Sequence, residues 1–303
     1  RLRRLILGAF ALSGFAALGY EVVWTRLLSS VLRSASAQSL STILVSFLVG
    51  LAAGGAVGAK LADRWRDAIG AFAIIELLIG AFGLFSVYAL GGIPLLFELT
   101  AAAGSYEVHI LRLFAAAFGV MLVPTFLMGL LFPLVGRLSI TALRDLGRGV
   151  GDVYGINTVG TIFGAFTAGF IFIPALGTEY SVDVLAWLNI LLGALLLAIA
   201  PSYSPIRKIV VGSVSALVFL ALMVARPNDT IRHLVGIGEE RGEIIHFDED
   251  VGGTVSVHDY GRGFRVLKVN GGSEVPTTFA SLQTFRLLGP LPLVLHADPE
   301  EVL

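Results

Sequence analysis

Seven stretches of this chain are apolar over close to the roughly 20 residues that an α-helix needs to cross a bilayer, and no other feature limits its fold as strongly. They run over about 5–27, 39–62, 69–93, 108–135, 150–175, 181–200 and 207–225. Backbone groups in lipid have no water to bond, so each stretch must satisfy its own N–H and C=O groups as a helix. Short polar joints separate them: "RSASAQS", "DRWRD", "FELTAAAGSYE", "GRLSITALRDLGRG", "LGTEYS" and "PSYSPIRK". Composition agrees. Of 303 residues 56% are hydrophobic and 14% charged, with mean hydropathy +0.86, against about 25% charged in an ordinary soluble domain. The predicted fold class is an α-helical multi-pass membrane protein of about seven transmembrane helices followed by a small β-rich soluble domain. The boundary is placed at Arg226-Pro227, where the sequence turns Gly- and acid-rich, giving a bundle over 1–226 and a soluble unit over 227–303.

Charge and cysteine content exclude several function classes. A formal charge of −1 gives no concentrated basic face, so nucleic acid is not an expected partner; the lipid bilayer is. Without cysteine there are no disulfides, thiolate metal ligands or Cys nucleophiles, and no metal site is read. The first apolar stretch, "LILGAFALSGFAALGY", is too long for a signal peptide and lacks a small-residue cleavage site.

Lys and Arg in short loops are retained on the cytoplasmic side. Arg1, Arg3 and Arg4 precede the first stretch; Lys60, Arg64 and Arg66 follow the second; Arg137, Arg144 and Arg148 follow the fourth; Arg207 and Lys208 follow the sixth. All fall on one side. The opposite joints hold only Arg26 and Arg33. The expected location is the inner (plasma) membrane, with the N-terminus cytoplasmic and residues 227–303 extracytoplasmic.

Within the stretches, Gly50, Gly54 and Gly58 recur at four-residue spacing, as do Gly151/Gly155 and Gly160/Gly164; such repeats let helix backbones approach closely. Pro124 and Pro133 are expected to kink the fourth helix. Ionisable and amide side chains inside hydrocarbon are costly unless paired or hydrated. The candidate intramembrane network is Glu21, Arg26, Glu76, Arg112, Asp152, Asn157 and Asn189. Tyr20 and Trp24 are read as interfacial anchors. Glu76 lies about two turns into the third stretch among apolar neighbours, and is expected to face inward, towards Asp152–Asn157.

In the soluble part "TVSVHDY" and "FRVLKVN" alternate around "GRG", which reads as a hairpin with one buried face. "FASLQTFRLL" carries Phe279, Leu282, Phe285 and Leu288 on one face of a short helix, stopped by Gly289-Pro290. "PLVLHADPEEVL" reads as the approach to a buried parallel strand.

The segments "GYEVVWTRLLSSVL", "LVGLAAGGAVGAKLADR" and "GDVYGINTVGTIFGAFTAGFIFIPALG" resemble the membrane part of bacterial spermidine-synthase-like proteins, and "GGTVSVHDYGRGFRVLKVNGGSEV" onwards is similar to the small β-domain that precedes their Rossmann-like domain. The resemblance implies aminopropyl transfer from decarboxylated S-adenosylmethionine, as co-substrate, to a polyamine, with the catalytic domain following "EEVL". It also implies that the family's Gln falls at Glu274, a candidate substrate contact, and that its Tyr-His pair is replaced in the helix reading Gln283, Thr284, Phe285. No catalytic residue is assigned in this chain. Separately, "GAKLADRWRD" looks like the cytoplasmic latch of major-facilitator transporters, with Gly58, Asp63 and Arg64 matching. Three function classes stay open: a membrane-anchored aminopropyltransferase-like enzyme without its catalytic half, a transport-type bundle for a cationic metabolite, and a non-catalytic accessory subunit in a homo-oligomer or larger membrane complex.

Overall fold

The computed structural model describes residues 1–31, 37–91, 93, 106–139, 146–225, 242–288 and 290–295. Each apolar stretch is a helix: α1 (Leu2–Val31), α2 (Ala37–Leu61), α3 (Ala68–Gly91), α4 (Tyr106–Ser139), α5 (Leu146–Thr167), α6 (Thr178–Ile199) and α7 (Pro205–Ala225). All seven are long and apolar enough to span a membrane. A 3₁₀ turn, Ala62–Arg64, follows α2. Helix α5 runs on through a π turn, Ala168–Phe172, into a last short helical turn, Ile173–Leu176. Pro174 has no N–H to give Phe170, and the Ile173 N–H reaches back five residues to the Ala168 carbonyl. Helix α4 continues unbroken through Pro124 and Pro133.

Apolar side chains gain little by leaving lipid for a protein of equal polarity, so close backbone contact decides which helices pair. Three intimate pairs result: α2 with α4, α1 with α5, and α3 with α6. Each has a seam where glycine meets backbone. On α2, a Cβ at Gly54 would collide with the Phe126 carbonyl, and Gly129 of α4 answers against the Leu51 carbonyl. Gly160 and Gly164 of α5 sit on the carbonyls of Ala11 and Phe15. Gly80 of α3 lies against Ala186, and Gly193 of α6 against Ala73. The Gly151/Gly155 repeat differs, since among the described residues nothing lies within 4 Å of the Cβ position at either. Helix α7 is peripheral. Only Phe219 is buried on it, with its ring 4.1 Å from that of Trp187, and the Tyr88 hydroxyl donates to the Leu222 carbonyl.

The basic ends of the helices are tied together. Arg3 of α1 pairs with Asp152 of α5 at 2.5 Å and donates to the Ser139 carbonyl of α4. Arg137 of α4 donates to the Ala62 carbonyl and, at 2.8 Å, to that of Trp65.

After α7 come four antiparallel strands in the order β1-β2-β3-β4: β1 (Glu243–Asp250), β2 (Gly253–Asp259), β3 (Arg265–Val269) and β4 (Gly272–Pro276). The expected hairpin is β2–β3. Asn270-Gly271, both at positive φ (50° and 75°), form the two-residue turn into β4 whose backbone twist suits a hairpin. The buried face is the reverse of the apolar one expected. Thr254, Ser256, His258 and Lys268 are buried together with Val266, while Val255, Val257, Leu267 and Val269 are half-exposed. Register explains this, because directly opposed residues share a face. Glu249 opposes Thr254 and Phe247 opposes Ser256; Phe247 packs against the bundle core, which turns the whole polar face inward. Ser256 Oγ and His258 Nε2, 3.0 Å apart, satisfy each other there. Two short exposed helices follow, α8 (Phe279–Leu288) and α9 (Pro290–Leu295). The Arg226-Pro227 boundary, Arg33, Arg144, Gly289 and the terminal "HADPEEVL" lie outside the described residues.

Two outcomes follow. Gly54→Ala overpacks the α2–α4 seam and lowers stability in detergent by about 1–3 kcal/mol, whereas Gly155→Ala leaves the thermal midpoint unchanged or slightly raised. Asp259 accepts the Gly261 N–H (2.8 Å) and Arg265 Nε (2.9 Å), first of which chiefly holds its pKa below the usual carboxylate value. Its stabilisation is therefore complete above the ordinary carboxylate range and is lost as pH falls through the depressed folded value. Hydrogen exchange at the Gly261 amide loses protection on that acid limb in the native chain, and Asp259→Asn removes this step.

Candidate functional site

The sheet meets the bundle at the end opposite the basic cluster, and two side chains make the joint. A helix start leaves N–H groups unpaired and carries partial positive charge. Gly177 (φ 80°) turns the chain into α6 and offers no side-chain cap; Glu249 takes that role from the β1–β2 hairpin. Its carboxylate accepts the Thr178 N–H at 3.1 Å and the Thr178 hydroxyl. Arg26, near the end of α1, donates through Nη2 to the Val251 carbonyl at 2.7 Å and lies beside the carboxylates of Glu249 and Asp250. One hairpin is thus held to two helices by an anion at a helix start and a cation at its turn.

Deeper in the bundle, between α1, α3 and α6, lies a polar knot. Glu76 is 0% exposed. Asn189 Nδ2 donates to its Oε2 at 2.6 Å, and Ser13 of α1 is a second hydrogen-bonding neighbour. Tyr20 and Trp24 are not interfacial anchors: both are 0% exposed, with rings stacked at 4.8 Å. Trp24 Nε1 donates to Ser86 Oγ (2.9 Å), which donates to the Gly83 carbonyl (2.5 Å). The Tyr20 hydroxyl packs over Gly83. Among the described residues, Tyr20 Oη, Glu76 Oε1 and Asn189 Oδ1 have no hydrogen-bond partner.

The residues read from the sequence as one network therefore occupy five places. Glu76 and Asn189 meet. Asp152 is part-exposed and bound to Arg3, and Asn157 packs against Gly14 of α1, so Glu76 faces α6 and α1 and not the Asp152–Asn157 segment. Helical rotation, invisible in composition, decides this. Glu21 and Arg26 share a cavity at the sheet joint. Arg112 is half-buried on α4.

On the last turns of α2, Gly58 packs on Leu130 and Pro133, while Asp63 and Arg64 in the turn that follows are exposed. The joining acid is Asp67. Its Oδ1 accepts the Gly70 N–H at the start of α3 (2.9 Å), and its Oδ2 accepts the Ser202 N–H (3.1 Å) in the α6–α7 turn. The signal was present, because Asp immediately before an apolar helix is a preferred N-cap. Glu274 is exposed on β4. Gln283 and Phe285 are exposed on α8. No family model, curated protein or solved structure matches this chain.

The knot carries a prediction. Glu76→Gln keeps shape and the bond from Asn189, and is tolerated. Glu76→Leu strands Asn189 and costs about 1–3 kcal/mol, the usual penalty for an orphaned buried polar group. Thermal unfolding in detergent separates the two; equal midpoints for Gln and Leu would contradict the knot's structural role.

Proposed function

We propose that this chain is a multi-pass plasma-membrane platform of the spermidine-synthase-like kind, which holds a small sheet at the outer membrane face as the support for aminopropyl-transfer chemistry supplied by a Rossmann-like domain. The observation that carries the reading is the joint itself: Glu249 on the start of α6 and Arg26 on the hairpin turn fix the sheet to the bundle. The segments behind the resemblance also fall on one structural unit. "YEVVWTR" supplies Tyr20, Trp24 and Arg26 of α1, and "NTVG" places Asn157 and Gly160 of α5 against the same helix. In this reading the half-exposed valines and leucines of the sheet and the apolar residues of α8 belong to the side that receives the catalytic domain, and decarboxylated S-adenosylmethionine binds chiefly to that domain, with Glu274 at the edge of the site.

Orientation follows from the charges. Arg3, Lys60, Arg66, Arg137 and Arg207 gather at the end of the bundle remote from the sheet, which the positive-inside bias assigns to the cytoplasm. A second reading, cation-linked transport, draws on the buried Glu76 and on the likeness of Gly58, Asp63 and Arg64 to a transporter latch.

One experiment separates them, and the absence of native cysteine makes it clean. Single cysteines at Arg66 and Glu243, both exposed, react with an impermeant thiol reagent from opposite sides of intact cells, Glu243→Cys from outside. The same protein in proteoliposomes takes up labelled putrescine no faster than protein-free vesicles, and by itself transfers no aminopropyl group to it. Labelling of both positions from one side would overturn the orientation. Saturable uptake lost in Glu76→Gln would replace the platform with the carrier.

A further inference from the structure

At the joint between bundle and sheet a cavity of about 430 Å³ opens among α1, α2, α5 and the two hairpin turns at Gly252 and Asn270. That volume lies in the range of roughly 300–1,000 Å³ typical of small-molecule sites. Its polar wall is a track along α1: Glu21, Thr25 and Ser29 recur every four residues, the spacing that places side chains on one helix face. Its apolar walls include Val22, Leu40 and Ala165. The π turn of α5 begins three residues after Ala165, with Gly169 against Val22. Such turns in α-helices are frequent at functional sites.

The engaged groups identify what the cavity lacks. Arg26 donates to Val251 and lies among the hairpin acids, so its charge is met. Asn270 Oδ1 accepts the Thr254 N–H at 3.0 Å. The Ser29 hydroxyl donates to the Thr25 carbonyl at 2.6 Å. Glu21 remains: half-buried on the cavity wall, it makes no hydrogen bond or ion pair with any described residue. A carboxylate removed from bulk water among apolar walls attracts a cation. A lone carboxylate offers too few oxygens to replace the shell of a hydrated divalent ion, which takes six or more ligands. An organic ammonium suits it better, because its N–H donors meet the carboxylate while its carbon body lies on Val22, Leu40 and Ala165.

We propose that this cavity binds a primary ammonium group carrying an apolar body, with Glu21 as its counter-ion. Two sources share that chemistry, a free alkylamine and the headgroup of an aminophospholipid. The full chain, delipidated in detergent, is titrated with n-hexylammonium and with hexan-1-ol, which has the same carbon body without the charge. In parallel it is placed in nanodiscs of equal phosphatidylethanolamine and phosphatidylcholine, and retained lipid is read by native mass spectrometry. Glu21→Gln removes the charge at constant shape; Ala165→Phe fills the cavity and leaves Glu21 intact, so a folding defect in one variant does not end the test.

Saturable stabilisation by hexylammonium and not by hexanol, weakened at least tenfold in either variant, supports the site and a free amine. Selective retention of phosphatidylethanolamine, lost in the variants, supports the site and a lipid source. The proposal is overturned if hexylammonium and hexanol act alike with no lipid selectivity, or if both folded variants bind as the native chain does.

Discussion

Backbone-to-backbone contact at glycine seams is the constraint on which the rest of this structure depends. Leucine and valine do not distinguish a lipid tail from another helix, so they cannot by themselves choose partners in a bilayer. Positions where one helix backbone touches another can. Gly54 and Gly129 between α2 and α4, Gly160 and Gly164 of α5 against Ala11 and Phe15 of α1, and Gly80 and Gly193 between α3 and α6 define three pairs, and everything polar is arranged around them. The α3–α6 seam brings Glu76 to Asn189. The α1–α5 seam brings Arg3 to Asp152 at the basic end and sets Arg26 at the other.

From those seams the path to function is short. Pairing α1 with α5 and α6 with α3 delivers the start of α6 and the end of α1 to the same end of the bundle. There Glu249 and Arg26 receive one hairpin. Because opposed residues in a sheet share a face, anchoring Glu249 and Phe247 fixes which way β2 and β3 turn. The polar face goes inward and the valine-rich face stays half-open. A sheet held in this way cannot tumble freely about a linker, which is the property the proposed platform would require.

Length and apolarity made all seven helices legible, and the Gly50/Gly54/Gly58 repeat marked a true packing face. What a repeat cannot encode is its partner: Gly151/Gly155 has the same spacing and packs on nothing among the described residues. Depth along a helix is readable, but rotation about its axis is not, so Glu76 meets Asn189 of α6 and not the expected Asp152–Asn157 segment. Tyr20 and Trp24 lie near the helix end that suits an interfacial aromatic, yet a hydrogen bond to Ser86 and space over Gly83 draw them into the core. Strand β1 is not legible in the sequence because a bulge between Ile244 and His246 breaks its alternation and its acidic end resembles a loop; β4, "GSEVP", is short and carries Gly and Pro. Glu249 had no signal at all, since a hairpin acid becomes a helix cap only when the fold brings a helix start to it.

The central claim is that the bundle holds the sheet in one orientation through Glu249 and Arg26. Pulsed electron–electron resonance between spin labels at Tyr180 on α6 and Glu274 on β4, both exposed, measures it directly in nanodiscs. The account predicts a single narrow distance distribution in the native background, broadened when Glu249→Ala and Arg26→Ala are combined. A broad distribution in the native background, or one that the double substitution leaves unchanged, would contradict it.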